Sequence, residues 1–209
     1  MKKIIGIVGS GSKGSTNEKL IKVIKENYQE KFDIDILFPK DWPVFDKNFE
    51  KDLPNSVLAA AKAIETADGV IISAAEYDHS IAAVLSNALA WLSFTHYPLV
   101  NKPVLTMGTS YGRLGSSRAQ THLHQALQAP QIHAAVMPGE AFLLSYALQD
   151  FDDQGRLVDN EYKARLDDLM IRFDDFIQWN NNLDQEKNAA KQRAHKYDLD
   201  YTFNKEVDA

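Results

Sequence analysis

Five short apolar segments recur along the chain, and stretches with helical spacing of hydrophobic side chains follow them. The segments occupy residues 3–8, 32–38, 68–73, 103–107 and 132–136. We interpret them as continuous apolar runs, which are typical of strands buried on both faces. Strands that alternate with helices predict an open parallel sheet covered on both sides. The expected α/β fold is a flavodoxin-like three-layer sandwich with a five-stranded parallel sheet in the order 2-1-3-4-5. A truncated dinucleotide-binding fold is the alternative.

The composition is that of a globular chain and excludes several kinds of site. Of 209 residues, 44% are hydrophobic and 25% are charged, and the net charge of -6 argues against nucleic acid as a partner. The absence of cysteine excludes disulfides and thiolate catalysis. The apolar run near the N-terminus is too short for a signal peptide, and no stretch is long enough for a membrane span. We expect a cytoplasmic protein with no membrane insertion.

The domain organisation is predicted from a change of pattern near residue 183. Residues 1–182 contain every strand and helix pattern and are expected to form one domain. Residues 183–209 form a charged C-terminal extension with six acidic and five basic residues and little periodicity. We favour a solvated extension docked by Tyr197, Tyr201 and Phe203 over a partner-binding arm.

The loop after the first predicted strand carries glycines at positions 9, 11 and 14, which spells the dinucleotide pattern G-x-G-x-x-G. Ser15 and Glu18, however, form the capping pattern S-x-x-E, which predicts a helix that begins near Ser15. The loop is therefore too long for a dinucleotide turn. Ser15 also stands where a P-loop would carry lysine, so NTP hydrolysis is not expected. Its hydroxyls and N–H groups suit a single phosphate dianion, and an ordinary Gly/Ser turn is the alternative.

Two other strand ends have unusual sequences. In residues 74–80, Tyr77 is placed to stack on a planar ligand and Ser80 to cap the next helix, although a plain turn with Tyr77 over the core is equally consistent. In residues 108–115, glycines allow close approach to a flat ligand, and Arg113 offers a donor fork to a phosphate or carboxylate. Because ligands bind at the carboxyl ends of parallel strands, the three loops together predict a site for a phosphorylated planar cofactor.

Three motifs resemble those of the NAD(P)H-dependent FMN reductases and quinone or azo reductases, which have a flavodoxin-like fold. The family's first motif, G-S-x-R-x-x-S-x-N, matches residues 9–17 except at the arginine. Its second, P-E-Y-N-x-S-x-P-x-x-L-K-N-A-[IL]-D-W, is similar to residues 75–91, and its third, G-x-x-G-x-x-R-A-Q-x-x-L, matches residues 112–123. The likeness covers roughly residues 1–180 and leaves out the charged extension.

The resemblance implies an enzyme that passes electrons from NADPH or NADH through bound FMN to a quinone, azo compound, flavin or metal oxyanion in a ping-pong reaction. It implies a homodimer or homotetramer. The flavin carries the hydride transfer, so no catalytic side chain and no metal are expected. Three groups of residues would bind the cofactor: Ser10, Ser12, Ser15, Thr16 and Asn17 around the phosphate; Ala75, Glu76, Tyr77 and Asp78 along the isoalloxazine; and Ser110, Tyr111, Gly112, Arg113 and Gly115 at its other edge.

Three positions depart from the family pattern. Ser12 replaces the arginine, so phosphate binding depends more on hydroxyl and N–H groups; Ala75 replaces proline; and Asp78 replaces asparagine. A carboxylate beside the ring disfavours added negative charge, so we expect a lower flavin potential than in Asp78→Asn. The alternative is that Asp78 points to solvent and only its backbone meets FMN.

Other residue patterns carry weaker interpretations. His122 and His124 lie two apart and therefore on different sides of a helix, which disfavours a metal site. For Trp91, Phe94 and Tyr97 we favour a subunit interface over core packing. Two rivals to the reductase remain: a flavodoxin-type electron carrier, and a flavin-free relative that serves as a binding subunit.

Overall fold

A computed structural model describes residues 1–49, 53–139, 141–181 and 190–195. The strands are β1 (Lys2–Gly9), β2 (Phe32–Leu37), β3 (Gly69–Ala74), β4 (Glu76–Tyr77), β5 (Ser80–Ile81), β6 (Pro103–Thr109), β7 (Ala135–Val136) and β8 (Phe142–Leu144). The helices are α1 (Thr16–Asn27), α2 (Asn55–Thr66), α3 (Ala83–Phe94), α4 (Ser117–Leu127) and α5 (Asn160–Asn181).

The main sheet is parallel and has the strand order β2-β1-β3-β6-β7, with β8 also paired to β6. This order confirms the expected flavodoxin-like arrangement. It differs at the fifth position, where sequence predicts one strand over 132–136. There β7 pairs with the start of β6 through Val104 and Val136, and β8 pairs with its end through Met107 and Phe142. The fifth strand is therefore interrupted.

The edge strand β2 also differs from the expected continuous apolar run. Its sequence FDIDIL alternates, with Phe32 and Ile34 buried and Asp33 and Asp35 exposed. Alternation is typical of a strand that meets the core on one face and water on the other. By contrast, every residue of β3 and β6 is buried, as expected for central strands.

Two hydrophobic clusters lie on the two faces of the sheet. Alternate residues of β1 separate between them: Ile4 joins the cluster that includes α1 and α5, and Ile5 joins the cluster that includes α2, α3 and α4. Strand side chains point alternately to opposite faces, so helices cover both sides. Lys2 of β1 also forms an ion pair with Asp174 of α5. These contacts produce the three layers.

The apolar surface of α3 is covered by the chain itself, so the interface interpretation of Trp91 is wrong. Trp91 is fully buried, and its indole N–H donates to the carbonyl of Pro43 at 2.8 Å. Phe45 lies edge-on to Trp91 at 5.1 Å and contacts Phe94 at 5.6 Å between ring centres. The loop after β2 therefore folds over α3, with Trp91 in the core and Phe45 packed against it.

Part of the charged extension packs on the domain. Ala190 and Ala194, in a helical segment over 190–195, are buried against Val100 with Tyr97 beside them. Lys191 forms an ion pair with Glu65 of α2 at 2.5 Å. Tyr197, Tyr201 and Phe203, the residues expected to dock the extension, lie outside the described residues. In the described part of the chain, no helix has both the length and the apolar character needed to cross a bilayer.

Candidate functional site

A cavity of about 560 Å³ opens at the carboxyl ends of β1, β3 and β6. Three loops line it: loop 1 between β1 and α1, loop 2 between β3 and α3, and loop 3 between β6 and α4. The volume lies within the roughly 300–1,000 Å³ typical of small-molecule sites. The position is the one that the parallel topology predicts, because the carboxyl ends of neighbouring strands meet at one edge.

Most of the predicted cofactor-binding residues come together there. Lining the cavity are Ser10, Ser12, Ser15, Thr16, Asn17, Ala75, Glu76, Tyr77, Ser110, Tyr111, Gly112 and Arg113. Asp78 and Gly115 lie outside the lining. Four further residues line it: His79, Thr109, Leu114 and Arg118. The sequence could have indicated two of these residues: Arg118 belongs to the third motif, and His79 lies in loop 2.

Loop 1 ends in the helix cap that its sequence predicts. The Ser15 hydroxyl accepts from the N–H of Glu18 at 3.1 Å, and the Glu18 carboxylate accepts from the N–H of Gly14 at 2.8 Å. Burial raises the pKa of Glu18, but hydrogen bonds from Lys22 and Gly14 outweigh that effect and leave it below its usual value. The capping carboxylate is therefore charged at neutral pH.

The first turn of α1 lines the cavity and has N–H groups without an acceptor. Within the described part of the chain, the N–H groups of Thr16 and Asn17 have no acceptor, although both residues are buried. A side chain added at Gly11 or Gly14 would meet nothing within 4 Å. Thr16 and Asn17 both line the cavity, and unpaired donors at a helix N-terminus suit a phosphate. Loop 1 therefore fits a phosphate group.

The Asn17 side chain does not contribute to phosphate binding, because it forms hydrogen bonds with two neighbouring strands. Its amide oxygen accepts from the Ser73 hydroxyl at 2.9 Å and from the N–H of Thr109 at 3.1 Å, while its NH₂ donates to the Thr109 carbonyl at 3.2 Å. The Thr16 hydroxyl also bonds that of Thr109 at 2.5 Å. The side chain of Asn17 thus joins α1 to β3 and β6, and its backbone N–H remains for a ligand.

Loop 2 contains a tight hairpin of β4 and β5. Asp78 and His79 form its turn with φ of 50° and 62°, the left-handed region that Asx and His residues tolerate better than most. The exposed Asp78 side chain lies outside the cavity lining, so an influence on flavin potential stays a prediction. The sequence predicts that Ser80 caps the next helix, and this prediction is wrong. The cap residue of α3 is Ala82, and the Ser80 hydroxyl contacts His122 Nδ1 at 2.8 Å.

Glu76 links loop 2 to the start of α4. One oxygen of its carboxylate accepts from the N–H groups of Arg118 and Ala119, at 3.0 and 3.3 Å, and the other lies 4.0 Å from the Arg118 guanidinium. The cap residue of α4, Ser116, has φ of 70° and makes no side-chain cap bond. A carboxylate from a neighbouring loop therefore caps this helix and neutralises its N-terminal dipole.

Loop 3 is held by the segment that follows β8. Ser110 donates its N–H to Leu144, and Ala147 and Tyr146 donate theirs to Ser110 and Gly112 at 3.0 and 3.1 Å. The Ser145 hydroxyl donates to the Arg113 carbonyl at 2.6 Å. Gly115 has φ of 57°, and a side chain there would press on the backbone of Leu143. Its role is therefore to let loop 3 pack closely.

The two histidines of α4 contact hydroxyl groups of neighbouring elements. Burial lowers the pKa of His124, whose Nε2 contacts the Thr106 hydroxyl at 2.8 Å, while His122 bonds Ser80. Among the described residues, no group of three or more His, Asp or Glu side chains is arranged to hold a metal ion. Both histidines connect elements around α4.

Comparisons with known proteins agree on one family. The family described as NADPH-dependent FMN reductase matches residues 2–149. A subunit (CrdA) of the NADH:(hydroxy)cinnamate reductase of Vibrio ruber is 38% identical over 187 residues, which is 90% of this chain and 93% of the relative. The quinone reductase of Escherichia coli is 32% identical, over 84% of this chain and 95% of that protein.

A solved structure supports the same fold. FerB, a flavoenzyme NAD(P)H:(acceptor) oxidoreductase from Paracoccus denitrificans, superposes with a TM-score of 0.76 at 25% identity. The alignment covers 87% of this chain and 98% of that one.

Proposed function

This chain belongs to the NADPH-dependent FMN reductase family, and from that premise we propose that the cavity between loops 1, 2 and 3 is its FMN site. The protein is an oxidoreductase that carries electrons from NADH or NADPH through FMN to a small acceptor such as a quinone or a flavin. The observation that carries the site assignment is that Thr16 and Asn17 line the cavity at the start of α1, while their N–H groups have no acceptor in the described part of the chain.

Loop 1 would hold the phosphate. The N–H groups of Thr16 and Asn17 and the hydroxyls of Ser10 and Ser12 supply donors, and the positive end of α1 favours the dianion. The Ser15 hydroxyl already accepts from Glu18, so it has its own proton left to donate. No arginine of loop 1 takes part, because Ser12 occupies the position where the family motif has one.

Loops 2 and 3 would enclose the isoalloxazine. Tyr77 is 49% exposed and Tyr111 63% exposed, although both line the cavity, so their rings have faces free for a planar ligand. Ala75, Glu76, Ser110 and Gly112 also line this part of the cavity. Because Glu76 is engaged with α4, its carboxylate positions the wall and does not serve as a proton donor.

When bound, FMN supplies the hydride and electron chemistry between nicotinamide and acceptor. The task of the chain is to bind and orient it. The interior clamp of Asn17 and Thr109 and the Glu76 cap hold the three loops in fixed relation, which reduces the ordering needed on binding.

Three broader features belong to the same proposal. The enzyme is cytoplasmic and forms a homodimer or homotetramer, and residues 1–182 are the FMN-binding domain with 183–209 as an extension. The assignment of an extension that docks on the domain is supported by residues 190–195, which pack against Val100 and pair with Glu65. Sedimentation of the purified holoenzyme tests the assembly.

Flavin titration tests the site. We expect the apoprotein to quench FMN fluorescence on binding, and Ser12→Arg to tighten the dissociation constant about tenfold by adding a charge-assisted bond to the phosphate. Ser12→Gln is the control for side-chain length and should not tighten binding. Equal affinity in Ser12→Arg and the wild type would show that the phosphate lies elsewhere.

Anaerobic stopped-flow reduction tests the activity. The FMN-loaded protein should lose its oxidised-flavin absorbance directly on mixing with NADH or NADPH. A protein that binds FMN but is not reduced by either nucleotide would be an electron carrier and would contradict the assignment as a reductase.

A further inference from the structure

The rim of the cavity on the loop 3 side combines a cation with exposed apolar side chains. Arg113, Tyr111 and Leu114 all line the cavity, and Tyr111 and Leu114 are 63% and 44% exposed. Side chains that line the cavity and are also exposed to solvent can be reached by a ligand. The three residues are consecutive with Gly112 and are called the loop 3 rim below.

The charge of Arg113 is available, whereas that of Arg118 is offset. The Arg118 guanidinium lies 4.0 Å from Glu76. Within the described parts of the chain, Arg113 forms no ion pair and its guanidinium has no hydrogen-bond partner. The rim therefore presents a free cation on a chain with a net charge of -6.

The backbone under this cation is fixed. Ser145 holds the Arg113 carbonyl at 2.6 Å, Tyr146 holds that of Gly112, and the N–H of Ser117 donates to Leu114 at 3.0 Å. A guanidinium on a fixed loop loses less freedom when it binds an anion than one on a mobile loop. Loop 1 already provides for the FMN phosphate, so the guanidinium is free for a second anion.

We propose that the loop 3 rim selects an aromatic anion as the electron acceptor: the ring packs on Tyr111 and Leu114, and a carboxylate or sulfonate on it pairs with Arg113. This inference rests on the proposed function and makes Arg113 a specificity residue for the acceptor. The alternative anion is the ribose phosphate of NADPH, which could pair with the same Arg113 guanidinium.

Steady-state kinetics with a naphthoquinone and its monosulfonated derivative tests the proposal. For the wild-type holoenzyme, kcat/KM is measured for each acceptor at saturating NADH and again at saturating NADPH. Arg113→Gln is expected to lower the ratio of sulfonated to neutral quinone about tenfold, the loss of one charge-assisted hydrogen bond. Arg113→Lys should retain part of that ratio. Arg172→Gln removes the same charge from α5, outside the cavity lining, and should leave the ratio unchanged.

A binding measurement separates recognition from turnover. Calorimetric titration of the oxidised holoenzyme with a naphthalene sulfonate, which accepts no electrons, should give weaker binding in Arg113→Gln than in the wild type. An unchanged ratio together with unchanged binding would overturn the proposal. A loss confined to the KM for NADPH would overturn it in favour of the nucleotide phosphate. A wild-type protein that binds no FMN would instead contradict the proposed function.

Discussion

A methyl group has no room at Gly108, the residue of β6 that lies against the start of α4. An added Cβ would lie 1.9 Å from the Ser116 hydroxyl and 2.6 Å from the backbone carbonyl of Ala74. The carbonyl belongs to β3 and cannot turn aside as a flexible side chain would. Close packing of β3, β6 and α4 behind the cavity therefore depends on this glycine.

Gly108→Ala is expected to destabilise the protein by about 1–3 kcal/mol, the usual cost of overpacking. Urea denaturation followed by circular dichroism measures the change. Gly112→Ala is the matched control, because an added Cβ there meets nothing within 4 Å, and it should change stability by less than about 0.5 kcal/mol. Equal stability of the two variants would show that β6 and α4 shift easily.

At the element scale, the start of α4 depends on a residue from another loop. The Glu76 carboxylate accepts from two N–H groups of the first turn, and the hydroxyl of the cap residue Ser116 is buried with no partner in the described structure. Loop 2 and α4 are therefore expected to loosen together when this contact is weakened.

Glu76→Gln keeps an acceptor oxygen but removes the charge that faces the helix dipole. We expect a loss of about 1 kcal/mol, comparable with the loss of a helix cap. Amide hydrogen exchange should rise at the start of α4 and in loop 2 together. Glu26→Gln, an exposed glutamate in α1, is the control and should change neither. Faster exchange confined to loop 2 would contradict the cap.

For the whole molecule, one half-buried histidine connects stability to pH. Burial lowers the pKa of His124 below its ordinary value of 6.5. As pH falls below that value, the unfolded chain takes up a proton that the folded chain still excludes, so the free energy of unfolding decreases. The loss ends once the pH is below the folded pKa.

Thermal melts between pH 7.5 and pH 5 should therefore show a falling melting temperature in the wild type and a flatter dependence in His124→Gln, which cannot titrate. His133→Gln, a substitution at an exposed histidine, is the control and should keep the wild-type slope. A slope that is identical in all three proteins would assign the pH dependence to other groups.

Local patterns were sufficient for the central elements and for the position of the candidate site. Continuous apolar runs predicted β1, β3 and β6, and Ser15 with Glu18 predicted the start of α1. The site could be located because topology alone brings the carboxyl ends of parallel strands to one edge. The interruption between β7 and β8 could not be predicted, because it depends on how each of these strands pairs with β6, which is distant in sequence.

The sequence by itself determined the alternation of strands and helices, the α1 cap and the clustering of three loops, because each follows from neighbouring residues or from parallel topology. Only the tertiary structure decided what the polar side chains do. Asn17 turns inward to Thr109, Glu76 caps α4, and Trp91 is buried under Pro43. Each of these contacts joins residues more than 40 positions apart, and no local pattern specifies which distant partner a donor or acceptor will meet.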